Sequence, residues 1–346
     1  VGDYDGDADL DVFVTNMGFQ PLGRPRPTTP SADCAYYHST DSGTCFHALI
    51  ENRVNEGSDP DRHGAFQFVT GQTQVIPSSL LPPASLGEEF QPADNSTISG
   101  IEAYEFGFGT AFFDMDNDAD QDLYWLGSLG SRGEGPNGDI AIGFGRMLQN
   151  TGAKSFKDVT VESRTIDTLA VDYSILNSDD HEFSAAKQRL GPEYHENGKG
   201  VAVGDLNADG FIDVIGTNSN GETFNHDGER EVASGPLFVW INGGGDNNWI
   251  SFKLRGRMAV DGTGSNADAI GAKVTVFHGS KGEKLITQKR EVMGSSSFLS
   301  MSSLDSHFGV GAANSVDVSF EWPSGRTATI ENISVNRLHE ITEPAD

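Results

Sequence analysis

The sequence predicts an all-β protein: blades of a β-propeller followed by a small β-sandwich-like domain. Three observations predict it. A nine-residue acidic loop occurs three times, and each copy leads into an apolar, β-prone run. A strand–turn–strand pattern follows the loops at matching offsets, so each loop is a landmark of a longer repeat. Beyond residue 246 the loop disappears and short alternating strands take over. Composition agrees, because 42 Gly and an abundance of Asn, Asp and Ser favour turns over helices.

The loops run Asp3–Asp11, Asp114–Asp122 and Asp205–Asp213, and all read D-x-[DN]-x-D-[GA]-x-x-D. Acidic side chains so crowded raise one another's pKa and push the loop open. A hard divalent ion reverses this, since it seeks six to eight oxygens at about 2.3–2.6 Å. The expected side-chain ligands are Asp3, Asp5, Asp7 and Asp11 in the first loop, and Asp114, Asp116, Asp118 and Asp122 in the second. Asp205, Asn207, Asp209 and Asp213 follow in the third. Asp9, Asp120 and Phe211 occupy position 7, where a backbone carbonyl serves and even Phe is allowed. About three Ca2+ ions are therefore expected, one per loop. Zinc would seek Cys and His, which the loops lack. An EF-hand needs Glu at position 12, where Val14, Trp125 and Gly216 stand. Ala8 and Ala119 hold position 6, which often needs an unusual backbone, so strain is expected there.

Each unit justifies one four-stranded blade. A Gly-rich turn and strand deliver the first Asp of the second and third loops, at Phe106–Phe113 and Gly198–Val203. The strand after each loop starts at Val12, Leu123 or Val214. A third strand ends in Asn in every unit: Leu49–Asn52, Met147–Asn150 and Leu237–Asn242. A fourth follows at Gly64–Thr70 and Gly152–Thr160. The blades span residues 1–246, with loops roughly 90–110 residues apart where a compact blade takes about 40–50. Insertions at 18–47, 71–100 and 162–197 account for the excess, the last with helical character around Phe183–Leu190. The first loop lacks its leading strand, so the propeller is expected to be partial or to continue upstream of Val1. Residues 247–346 form the second domain, with strands expected at Asn247–Leu254, Lys273–Phe277, Lys284–Gln288, Val316–Trp322 and Thr327–Ile330. The short linker Asn242–Asp246 should leave it packed on the last blade.

The blade units resemble the FG-GAP (VCBS-type) repeat. The C-terminal stretch resembles the ASPIC/UnbV domain through Gly264–Val274, Arg290–Ser297, His307–Gly311 and Trp322–Gly325. This order of repeats and domain looks like the cartilage-acidic-protein family. The resemblance implies calcium binding and a propeller, and no agreed activity.

Lys and Arg number 23 against 51 acids, a net charge of −28. Three calcium ions would offset about six of those charges. The remainder argues against nucleic acid, whose binding rests on basic residues. No apolar run is long enough to span a membrane, and no signal peptide is visible. Cys34 and Cys45 close a short polar loop and read as a disulfide, hence an oxidising compartment. Secretion, the cell surface or the periplasm fits. Zinc-protease, nucleophile-elbow, phosphate-loop and dinucleotide motifs are absent, and no catalytic residue is assigned. The sequence thus reads as an extracellular calcium-binding scaffold or adhesion module with protein or glycan partners. The alternative is an extracellular hydrolase or lyase of a polysaccharide or phosphoester with structural calcium. His307 is expected to be a packed or hydrogen-bonded core residue.

Overall fold

Apolar residues alternate in the runs flanking each acidic loop, and these runs pair as strands. The computed structural model describes residues 1–15, 47–53, 66–69, 73–76, 101, 107–127, 129–132, 139–142, 145–152, 154–160, 162–165, 198–219, 221–224, 230–235, 237–279 and 285–345. Cys34, Cys45, Phe183–Leu190 and most of the three insertions lie outside the described residues.

In the first unit β1 (Val12–Val14), β2 (Ala48–Asn52) and β3 (Phe66–Phe68) form an antiparallel sheet. Gly2 bridges Asp11 across the loop, as Phe113 pairs with Asp122 in the second unit. The second unit comprises β4 (Gln74–Ile76), β5 (Gly107–Phe113), β6 (Asp122–Gly127), a hairpin of β7 (Leu129–Arg132) and β8 (Asp139–Ile142), β9 (Gly145–Asn150) and β10 (Ser155–Asp158). Here β5, β6, β9 and β10 make the expected four-stranded antiparallel meander, and β4 adds to β10 in parallel. The third unit has β11 (Gly198–Gly204), β12 (Asp213–Asn218), a hairpin of β13 (Gly221–Phe224) and β14 (Arg230–Ala233), and β15 (Leu237–Trp240). Its sheet is β11-β12-β15.

Neighbouring units bury one another's faces. Phe13 and Leu49 of the first meet Trp125, Leu148 and Phe156 of the second. Tyr124, Leu126 and Met147 of the second meet Val201, Ile212 and Val214 of the third. Leu49 and Met147 hold the same place in successive units, so a period-two pattern turns alternate residues to alternate neighbours. Each such side chain contributes about 1.5–3 kcal/mol of burial.

The remaining strands are β16 (Asn248–Arg255), β17 (Lys273–His278), β18 (Ile286–Glu291), β19 (Ser306–Gly311), β20 (Ser315–Glu321), β21 (Thr327–Ser334) and β22 (Leu338–Thr342). They form two sheets, β19-β16-β22 and β18-β17-β20-β21. Ile250, Phe252, Phe308, Val274, Val276, Val318, Phe320 and Trp322 fill the space between them. Two of these strands escape the sequence reading. In β19, Ser, His and two Gly dilute β propensity. In β22, no residue is fully buried, so no face is marked, and a parallel ladder to β16 supports it instead.

The segment between β18 and β19 lies along β5 and β11. Ser297 Oγ accepts the Thr110 N–H at 2.8 Å, Ser300 Oγ donates to the Val201 carbonyl at 2.6 Å, and the Ser303 N–H donates to the Val203 carbonyl at 2.9 Å. The C-terminal strands therefore pack on the second unit as well as on the last.

Candidate metal centre

The three acidic loops fold by one set of hydrogen bonds. The first Asp takes two backbone N–H groups: Asp3 from Asp7 and Ala8, Asp114 from Asp118 and Ala119, Asp205 from Asp209 and Gly210. The fifth residue caps the seventh, from Asp9 to Asp7, Asp120 to Asp118 and Phe211 to Asp209. The ninth takes the N–H of position 2 on one oxygen: Tyr4 on Asp11, Met115 on Asp122, Leu206 on Asp213. Its other oxygen takes the N–H of the Asn that ends the third strand, Asn52, Asn150 or Asn242. Two left-handed residues make the turn, at positions 4 and 6. They are Gly6 (φ 71°) and Ala8 (67°), Asn117 (60°) and Ala119 (87°), and Ala208 (61°) and Gly210 (88°). The backbone strain expected at Ala8 and Ala119 is thus present.

These bonds gather part of the expected ligand set. One carboxylate oxygen each from Asp3, Asp5 and Asp11 lies within 4.8 Å of the others, and so do those of Asp114, Asp116 and Asp122. Oxygens about 2.3–2.6 Å from a shared ion have such spacings. Asp7 and Asp118 are not in these triads and turn Oδ1 to the cap instead. In the third loop Asn207 replaces a carboxylate, and its Nδ2 donates to Asp209 Oδ2 at 2.8 Å.

The electrostatics of the first two loops are those of a site that would accept a cation. Burial pushes Asp3 up to about 6, with the Arg290 charge pulling it back and Asp7 and Asp5 adding repulsion. Burial raises Asp11 to about 7, although the Asn52 and Tyr4 N–H groups oppose the rise. Asp114 reaches about 7 through burial and the Asp118 charge, and Asp122 is driven well up by burial and Asp114. Asp5 has a side chain only 1% exposed, and its Oδ1 meets no hydrogen-bond donor among the described residues. Its Oδ2 meets Lys154 Nζ at 2.9 Å. Buried carboxylate oxygens without partners are costly. A hard cation satisfies such an oxygen, so the residues fit the ion that their pattern implies.

Sequence reasoning saw the repeated Asn and missed its work. Asn150 Nδ2 donates to the Gln121 carbonyl of its own loop at 3.0 Å and to the Tyr4 carbonyl of the loop before at 2.7 Å. Asn242 Nδ2 does the same with Ile212 and Met115, at 3.3 and 2.7 Å. Gln121 Oε1 accepts the Asp3 N–H at 2.7 Å, and Asn117 Nδ2 donates to the Gly210 carbonyl at 3.0 Å. The loops therefore form one bonded row. The recurrence of Asn at one offset was the available signal.

The C-terminal strands close on that row. His307 Nε2 donates to the Gly210 carbonyl at 3.0 Å, and its ring stacks on Trp249 with centroids 5.8 Å apart. Burial lowers its pKa to about 4, so it is neutral and hydrogen-bonded, as the sequence suggested. A cleft of about 130 Å³ lies between these strands and the acidic-loop units, with Asp114, Gln121, Arg290, Asp305 and His307 on its wall.

Residues 262–346 match the family model described as ASPIC and UnbV. The matched segment holds six of the seven C-terminal strands, β17 through β22, and leaves out β16. Cartilage acidic protein 1 of Mus musculus is 30% identical over 152 residues, which is 43% of this chain and 20% of that protein. The Homo sapiens protein of the same name matches to the same extent. The chain thus spans about a fifth of the length of these curated relatives.

Proposed function

We propose that this chain is an extracellular calcium-binding β-propeller module of FG-GAP (VCBS-type) blades, capped by an ASPIC/UnbV β domain, that serves as a scaffold for protein or glycan contacts. The observation that carries the reading is the threefold identity of the loop hydrogen bonds, with a buried Asp5 oxygen left for a cation. Calcium would supply charge neutralisation and further bonds; the protein supplies Asp3, Asp5 and Asp11, Asp114, Asp116 and Asp122, and Asp205, Asn207 and Asp213 around it. Blades fixed in this way present surface loops at reduced entropic cost on binding. The acidity of the chain suits relatives named for cartilage and for acidity. Among the described residues no helix is long and apolar enough to cross a membrane.

Calorimetric titration of the chelated protein with calcium tests the metal reading. Near three ions per chain are expected, with a rise in melting temperature at saturation. Absence of binding would overturn it. The scaffold reading is tested separately with acidic polysaccharides and phosphoesters. Binding without turnover supports it; turnover lost on substituting a His or Tyr of one face, with the fold intact, would replace it by an enzyme.

A further inference from the structure

We infer that the C-terminal β domain docks on the cation-ordered form of the second and third loops, and that withdrawing calcium releases its loop-facing edge. The inference rests on the calcium reading above and goes beyond it. Three contacts carry it, all to backbone atoms of those loops. The Gly311 N–H donates to the Asn117 carbonyl at 2.9 Å. Asn247 Nδ2 donates to the Asp116 carbonyl at 2.9 Å. His307 Nε2 donates to the Gly210 carbonyl at 3.0 Å, the same oxygen that Asn117 Nδ2 bonds.

These acceptors sit at loop positions 3, 4 and 6. Two of them, Asn117 and Gly210, are left-handed residues, at φ 60° and 88°. Their carbonyls point at the domain only while the loop keeps that turn. The approach is close: a Cβ built on Gly309 would overlap Asp114 Oδ2 and the Asn117 backbone. The second loop carries Asp114, Asp116, Asp118, Asp120 and Asp122, and unneutralised repulsion opens it. The docked edge then loses its acceptors together. A different set of bonds remains. Ser300 and Ser303 hold the Val201 and Val203 carbonyls within β11, outside the loops. Release is therefore local to β19 and the start of β16.

Binding and docking linked in this way are reciprocal: whatever weakens docking weakens calcium binding by the same factor. Two measurements test the inference on the intact chain. The first is amide hydrogen exchange with saturating calcium and with EGTA. The Gly311 amide should exchange at least about tenfold faster in EGTA, while Ser303 and the amides of β17 and β20 change by less than about threefold. An unchanged Gly311 amide, or all of these amides rising together, overturns the inference. The second is calorimetry on Gly309→Ala, which places a Cβ at the closest approach to the second loop. One calcium site should weaken about tenfold, or about 1.4 kcal/mol. Calcium affinity equal to wild type overturns the linkage but leaves the calcium reading standing; no calcium binding by the wild type overturns both.

Discussion

Gly210 should not tolerate a side chain, although Ala stands at the equivalent place in the other two loops. Position 6 is left-handed in all three, so Ala8 and Ala119 show that backbone strain alone is bearable. That strain costs about 1–2 kcal/mol for a residue with a Cβ. Gly210 differs in its neighbour. A Cβ there would stand 2.5 Å from Trp249 Cδ1 and closer still to Cε2 and Nε1. Trp249 cannot easily yield, since its ring stacks on His307 and its backbone N–H, which donates to Asn336 Oδ1, fixes the main chain that carries the ring. Overpacking of this kind costs about 1–3 kcal/mol. Gly210→Ala should therefore destabilise by about 2–5 kcal/mol in denaturant unfolding at saturating calcium. Repeating the substitution in a Trp249→Ala background isolates the steric part, because the cycle removes the clash and keeps the strain. A loss under about 1 kcal/mol in the wild-type background, or the same loss in both backgrounds, would refute the reasoning.

Four further outcomes can be measured. Ala119→Gly relieves the φ of 87° and should leave stability equal or raise it by up to about 1 kcal/mol, as read from the denaturation midpoint. Asn150→Ala strips donors from the Tyr4 and Gln121 carbonyls and should cost about 2–4 kcal/mol, with weaker calcium binding at the first loop as well as the second on titration. The loop aspartates set a pH signature. Burial raises Asp3, Asp11 and Asp114 to about 6, 7 and 7, above the ordinary carboxylate value of 3.8, so without cation the fold holds extra protons. Their contribution is favourable below pH 4 and is lost as pH rises through 6–7. Calcium needs them ionised, so the calcium-induced gain in melting temperature should grow from pH 5 to pH 8; a flat profile would exclude these groups. Glu343 behaves in the opposite sense. Burial pushes it up, yet bonds from Ser324, the Arg257 N–H and Ser265 hold it at about 2. Its stabilisation is present above pH 4.5 and fades as pH falls toward 2, and Glu343→Gln should remove that acid-side dependence.

What the sequence disclosed was what acts over short range. Nine residues suffice to specify a loop, because its caps run from positions 1, 5 and 9 to N–H groups within the loop, with one outside donor, the strand-ending Asn. Most strands beside the loops were legible for the same reason, since alternation marks which face is buried. Long-range pairing was not. Leu338–Thr342 becomes a strand only because Ser251–Arg255 offers it a parallel ladder, and His307–Gly311 because it meets β16 on the other side. The difference between Ala119 and Gly210 looked like drift within a motif. The structure gives it a cause, because position 6 of the third loop lies directly under Trp249.

The recurring Asn makes the same point from the other direction. Read along the chain, Asn52, Asn150 and Asn242 close a strand, a place where a short polar residue needs no special reason. In the fold, the amide of one unit completes the loop of the unit before it. The acidic loops are consequently not three independent sites. A change at Asn150 reaches the first loop through Tyr4, and a change at Asn242 reaches the second through Met115. The Gly210 carbonyl then joins the third loop to the second through Asn117 and to the C-terminal strands through His307. On the proposed calcium reading, binding at any loop would be set partly by the geometry of its neighbours, and sites joined by shared hydrogen bonds should not fill independently.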